Sequence, residues 1–211
     1  MTENVVRKAN VRLIYSIFVE LNYDDLTGGT VFVYKIKSDS DDLFFDNFYI
    51  ATFDDQEDNI VWGVGPTPLD ALKNAEREWD RYCNEEEGEC SNPFRETLEK
   101  LGDMQIEDTY SGKVTVKEVL NVPVKDGSVF VYEIEDDEGE LFSCELFSCE
   151  FYIATFDNLR NKIVWGVGAT PLDALEDAER NWDRLGDEFP NPFREALEKL
   201  IEEGNNMLLN Y

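Results

Sequence analysis

Histidine is absent from all 211 residues of the chain. Its absence removes Ser-His-Asp and Cys-His nucleophiles, histidine general bases and every metal site that needs an imidazole. Positive charge is scarce as well. Nineteen Lys and Arg stand against 47 Asp and Glu, a formal net charge of −28. That balance argues against direct binding to DNA, RNA or an anionic membrane, all of which demand a basic footprint. No apolar run approaches the roughly 20 residues needed to span a bilayer. The first ten residues, MTENVVRKAN, lack the apolar core of a signal peptide, so a cytoplasmic protein is expected. The four cysteines, Cys83, Cys90, Cys144 and Cys149, match no common zinc spacing and fall at different places in the two repeats described below. They read as free thiols, and no metal or cofactor is expected.

What is present is the material of a core. Hydrophobic residues make up 42% of the chain and aromatic residues 13%. A disordered acidic chain would lack those aromatics, because it could not bury enough apolar surface to offset its ordering entropy. The negative charge therefore coats a folded protein, and its partners should be basic: a cationic protein, a nucleic-acid-binding groove or divalent cations. Adaptation to high salt is a competing explanation, weakened by the ten lysines and the large aromatics.

The chain repeats itself. FYIATFD occurs at Phe48–Asp54 and again at Phe151–Asp157, and IVWGVG-x-TPLDAL starts at Ile60 and at Ile163. Asn92-Pro93-Phe94-Arg95-Glu96 recurs as Asn191-Pro192-Phe193-Arg194-Glu195, and Val31-Phe32-Val33-Tyr34 as Val129-Phe130-Val131-Tyr132. The repeat is of domain size and runs over residues 28–101 and 126–203. A first module over 1–101, a linker over 102–125 and a second module over 126–211 are expected. Val114–Val124 in the linker and Val11–Glu20 before the first repeat are further strand candidates.

Within one repeat, Val31–Lys37, Phe48–Phe53 and Ile60–Val64 read as strands, being alternating or short, aromatic and β-branched. Both faces of these strands carry apolar groups. One face is expected to lie under the repeat's own helices and the other against the second repeat or a partner subunit. Thr67 as N-cap, Pro68 at the first helical position and Asp70 at N3 open a helix, as do Thr170, Pro171 and Asp173. Leu69, Leu72, Ala75, Trp79 and Tyr82 form its apolar stripe. A second helix starts at Pro93 and at Pro192. The fold class expected is α+β, two tandem β-β-β-α-α modules with an antiparallel sheet packed by helices. Trp79 and Trp182 read as core and Trp62 and Trp165 as core or contacts between the modules, and the pairs Arg77/Arg81 and Arg180/Arg184 as local ion-pair partners of nearby carboxylates, not as a phosphate site.

The run Gly63-Val-Gly-Pro-Thr-Pro-Leu-Asp-Ala-Leu-Lys-Asn-Ala75 after a strand pair resembles the HicB-like antitoxin fold, in which Gly-x-Thr-x-x-Glu-Ala-Leu-x-Asn-Ala opens the helix. Thr67, Ala71, Leu72, Asn74 and Ala75 fit that pattern; the second copy keeps Thr170, Ala174, Leu175 and Ala178 and has Asp177 in place of the Asn. The resemblance implies toxin neutralisation. The family's Pro-Asp-x-Pro-Gly element and its separate basic DNA-binding domain are both missing here.

The carboxylates gather in loops. Asp39, Asp41, Asp42 and Asp46 form one group, Asp54, Asp55, Glu57 and Asp58 another, and Glu85, Glu86, Glu87 and Glu89 a third. The second repeat has Glu133, Glu135, Asp136, Asp137, Glu138 and Glu140, followed by Glu145 and Glu150. Carboxylates spaced along a rigid surface imitate backbone phosphates and would occupy a basic groove, with binding that weakens as salt rises. DDQEDN and EDDEGE lack a Gly and a terminal Glu at EF-hand spacing, and neither a P-loop nor GxGxxG is present. The reading is a non-enzymatic acidic inhibitor, a phage or mobile-element protein acting in the host cytoplasm. It would bind a basic nucleic-acid-binding enzyme or complex and make no direct contact with nucleic acid or membrane. A homodimer is left open. The alternative is a tandem HicB-like antitoxin that covers a small basic ribonuclease, and a third reading is a metal-dependent enzyme using the clustered Asp and Glu.

Overall fold

A computed structural model describes residues 6–19, 28–39, 47–54, 59–85, 91–100, 111–136, 150–157, 162–184 and 190–202. Among these, β1 (Val6–Val19), β2 (Gly29–Ser38), β3 (Asn47–Asp54) and β4 (Asn59–Gly65) precede α1 (Pro68–Glu85) and α2 (Pro93–Lys100). Then β5 (Ser111–Val124), β6 (Gly127–Asp136), β7 (Glu150–Asp157) and β8 (Lys162–Gly168) precede α3 (Pro171–Asp183) and α4 (Pro192–Glu202). The protein is α+β. The expected three strands per half become four, because the flanking candidates are long strands in their own right.

All eight strands join one antiparallel sheet in the order β4-β3-β2-β1-β5-β6-β7-β8. The halves meet at its centre, where β1 pairs with β5 from Val6↔Lys117 to Arg12↔Ser111. The outermost strands, β4 and β8, also lie against each other. The sheet thus curves until its two ends meet, and one core fills the inside. Ala9, Val11, Tyr34, Ile36, Phe48, Ile50 and Val64 of the first half pack there with Val114, Val116, Tyr132, Ile134, Ile153 and Val164 of the second. Each fully buried Ile or Phe of such a core stabilises by roughly 1.5–3 kcal/mol.

A bulge makes this double use of the long strands possible. In β1 the register shifts between Leu13 and Tyr15, and in β5 between Glu118 and Leu120. One extra residue moves every later side chain to the opposite face of the sheet. Val11 and Leu13 therefore point into the inner core, while Tyr15, Ile17 and Val19 point outward beneath α1 and α2. In β5, Val114 and Val116 face inward, and Leu120, Val122 and Val124 pack outward beneath α3 and α4.

The helices begin where the sequence places them. Thr170 Oγ1 accepts from Asp173 N at 3.2 Å, and the Asp173 carboxylate accepts from Thr170 N at 3.1 Å, a complete capping box. At α1, Asp70 N donates to Thr67 Oγ1 at 3.1 Å. Gly63 and Gly166 let the helices sit directly on the sheet: a Cβ at either would come within 2.3 Å of the carbonyl oxygen of Ala71 or Ala174. Trp182 is buried and Trp62, Trp79 and Trp165 pack half-buried against the core, with the rings of Trp62 and Trp79 4.7 Å apart and those of Trp165 and Trp182 4.8 Å apart. The helical stripe leaves the core at both ends, since Leu69 is 45% and Tyr82 51% exposed. Asn92 ties α2 to α1: its Oδ1 accepts from Phe94 N and Arg95 N, and its Nδ2 donates to the Glu76 carbonyl and to Asp80. Asn191 does the same for α4 and α3.

Cys83 departs from the sequence expectation. It is disulfide-bonded, not a free thiol. Spacing and recurrence between repeats test for metal knuckles, whereas a disulfide needs only two close Cβ atoms. Cys90, Cys144 and Cys149 lie outside the described residues.

Candidate functional site

Of the carboxylates expected in loops, seven fall on described residues, Asp39, Asp54, Glu85, Glu133, Glu135, Asp136 and Glu150, and all but Asp39 lie in a strand or helix instead. The others, Asp41, Asp42, Asp46, Asp55, Glu57, Asp58, Glu86, Glu87, Glu89, Asp137, Glu138, Glu140 and Glu145, lie outside the described residues. Asp39 is exposed after β2 and accepts from Asn10 Nδ2. Asp54 ends β3 and Glu85 ends α1. Glu135 and Glu150 are directly opposed across β6 and β7, and both are exposed. The same positions in the first half hold Lys37 and Asn47. Glu133 is drawn into an ion pair with Lys117 at 2.9 Å, and Asp136 is buried. Among the described residues, no group of three or more His, Cys, Asp or Glu could hold a metal ion, and no helix is long and apolar enough to cross a membrane.

Basic charge is concentrated too. Strands β1, β2 and β5 carry Arg7, Lys8 and Arg12, Lys35 and Lys37, and Lys113 and Lys117 respectively, against a single carboxylate, Glu118, while β6 on the other side of β5 carries Glu133, Glu135 and Asp136. Several of these are engaged locally: Lys8 Nζ donates to Thr115 Oγ1 at 2.6 Å, and Lys35 lies over the Tyr49 ring.

The strongest constellation lies at the seam where β4 meets β8. A cavity of about 260 Å³ opens there, walled by Trp62 and Tyr82 on one side and by Asp173, Glu176, Asp177 and Arg180 on the other. Glu78 of α1 is its hub. It pairs with Arg81 on its own helix at 2.9 Å, and with Arg180 at 3.3 Å and Arg184 at 3.8 Å from α3. Arg180 also pairs with Asp177 at 3.4 Å. Asp177 is buried and accepts from Val167 N at 3.0 Å. Burial, reinforced by the charge of Glu78, pushes its carboxyl up to about 6; the Val167 N–H, Arg180 and Arg184 oppose that shift without cancelling it.

Reading the arginines as ion-pair partners holds for Arg81, Arg180 and Arg184 and is incomplete in place, whereas Arg77 donates to the Asn74 amide instead. Arg180 and Arg184 reach across to the other half, which i,i+4 spacing on one helix does not reveal. A signal was available in the substitution pattern. Where the first repeat has Asn74 and Glu78, the second has Asp177 and Asn181, one acid and one amide in exchanged order.

No family model matches the chain, and no solved structure matches it. It is 37% identical over 67 residues to an uncharacterized protein, ORF77, of Acidianus filamentous virus 1 (isolate United States/Yellowstone). The aligned stretch is 32% of this chain and 84% of that protein, so nearly the whole relative corresponds to about a third of this one. At that identity and coverage the chain belongs to the same family as the viral protein ORF77.

Proposed function

We propose that this is a viral, non-enzymatic acidic protein that binds a basic partner, occupying a nucleic-acid-binding groove and excluding nucleic acid from it. One observation carries the reading: a net charge of −28 on a chain with three well-filled apolar cores. Self-repulsion of that size works against folding, so the charge is retained at a cost. Several arginines of the helices are already matched to carboxylates, as in Arg95 with Glu76 and Asp80 and Arg194 with Glu179 and Asp183. The surplus acids are therefore left for solvent or a partner. Glu135, exposed on β6 directly opposite Glu150, is a described acid of that surface, and like charges directly across a strand pair cost stability.

The test is an affinity capture from host lysate at low salt, with the full chain immobilised and elution by a salt gradient. The reading expects a large nucleic-acid-binding protein released at moderate salt. Recovery of one small basic ribonuclease would point instead to the antitoxin role implied by the HicB-like resemblance. Recovery of nothing basic would sink both.

A further inference from the structure

On the reading given above, that the protein binds a basic partner, we propose that the cavity at the seam anchors one arginine or lysine side chain of that partner. Each half supplies one wall, so the cavity exists only where the halves meet. The wall from the first half is aromatic. Trp62 of β4 and Tyr82 of α1 lie edge to face with ring centroids 5.7 Å apart, and Tyr82 is 51% exposed. The opposite wall is α3, which brings Asp173 and Glu176, one turn apart and both exposed, to the cavity.

The lining acids differ in what already holds them. Glu78 takes Arg81 at 2.9 Å and Arg180 at 3.3 Å, with Arg184, which is not part of the lining, at 3.8 Å. Asp177 takes Arg180 at 3.4 Å and the Val167 N–H at 3.0 Å. Asp173 is fixed by the helix cap, where Thr170 N and Oγ1 donate to it at 3.1 and 2.7 Å. Glu176 is the lining acid left without an ion pair among the described residues, and it stands across the cavity from the two rings. The module does not supply this combination by itself. In the other copy the positions of Tyr82 and Glu176 hold Leu185 and Lys73, while Trp62 and Asp173 keep counterparts in Trp165 and Asp70. An arginine or lysine matches the place: its apolar stem packs along the rings, its head gains a cation–π contact, and the Glu176 carboxylate takes the charge. A volume of about 260 Å³ falls below the roughly 300–1,000 Å³ of pockets that enclose whole small molecules, which suits a single side chain.

The test titrates the full chain at physiological salt with acetyl-Gly-Arg-Gly amide, acetyl-Gly-Lys-Gly amide and, as the uncharged control, acetyl-Gly-citrulline-Gly amide. The NMR signal of the Trp62 indole N–H reads the cavity. A saturable shift with the arginine or the lysine peptide, and none with the citrulline peptide, is expected. Glu176→Gln and Tyr82→Ala, both at exposed positions, should each weaken binding about threefold to tenfold. Tyr82→Phe should retain it, and Lys73→Gln, at the mirrored position, should leave it unchanged. Equal binding of the citrulline peptide, no saturation with either cationic peptide, or undiminished binding in folded Glu176→Gln and Tyr82→Ala would overturn the proposal. The titration is independent of the lysate capture: loss of peptide binding alone removes the anchor, and a capture empty of basic proteins alone removes the wider reading.

Discussion

In the first half, α1 turns Asn74 and Glu78 toward the seam; in the second, α3 turns Asp177 and Asn181 toward it. Asn74 donates to the Val64 carbonyl at 2.6 Å, while Asp177, at the matching position, accepts from the Val167 N–H at 3.0 Å. The same backbone thus uses opposite polarities of one peptide neighbourhood. The contrast extends to the sheet, where Lys35 and Lys37 of β2 correspond to Glu133 and Glu135 of β6. Core positions, by comparison, are nearly interchangeable: Phe53, Trp79 and Phe94 meet edge to face, as do Phe156, Trp182 and Phe193. Packing tolerates little change in volume, whereas charge on a surface or seam can be reversed if its partner across the interface changes too.

The largest effect should fall on what the halves share. Gly63→Ala and Gly166→Ala each drive a Cβ into helix backbone, within 2.3 Å of a carbonyl oxygen. Each should cost about 3 kcal/mol or more in denaturant unfolding, equally in both halves. Tolerance at one site only would show that the helices do not dock alike.

Next comes the exchanged acid. The Asp177 carboxyl is raised from 3.8 to about 6, so the folded protein holds its proton more tightly than the unfolded chain. Stability contributed by that neutral form is full below pH 4 and is lost as pH rises toward 6, on the order of 3 kcal/mol in all. Asp177→Asn, which restores the residue of the first half, should remove this dependence; Asn74→Asp should add a second one. Identical stability-versus-pH curves for wild type and Asp177→Asn would refute the burial account.

Glu78→Gln should destabilise by about 1–3 kcal/mol, since three arginines lose their shared carboxylate. It should also lower the Asp177 pKa below about 6, because the Glu78 charge helps to raise it. An NMR titration of Asp177 reads this directly, and an unmoved value would remove Glu78 from the network. The smallest effect belongs to Lys117→Gln. Its partly exposed pair with Glu133 should contribute less than about 1 kcal/mol in a double-mutant cycle with Glu133→Gln.

The helix starts were legible because Thr-Pro-Leu-Asp encodes a cap locally, and the strands because Val31–Lys37 and FYIATFD carry their periodicity within a few residues. The long β1 and β5 were only half legible. Each changes face at a bulge, so its apolar residues follow one alternation before Leu13 or Glu118 and the opposite one after Tyr15 or Leu120. Their mutual pairing is a contact between distant parts of the chain that no local pattern encodes. The seam stayed hidden for the same reason: Glu78 looks like any solvated helix acid until α3 supplies Arg180 and Arg184. The disulfide at Cys83 was misread because proximity, not spacing, makes one.

The central claim is that surface carboxylates stand in for nucleic-acid phosphates. The most direct measurement is competition: the basic partner recovered by capture is loaded with labelled nucleic acid and titrated with the full chain at several salt concentrations. The account predicts stoichiometric displacement that weakens as salt rises and is reduced when Glu135 and Glu150 are changed to Gln. A partner that binds the chain and the nucleic acid together, with neither displacing the other, would contradict it.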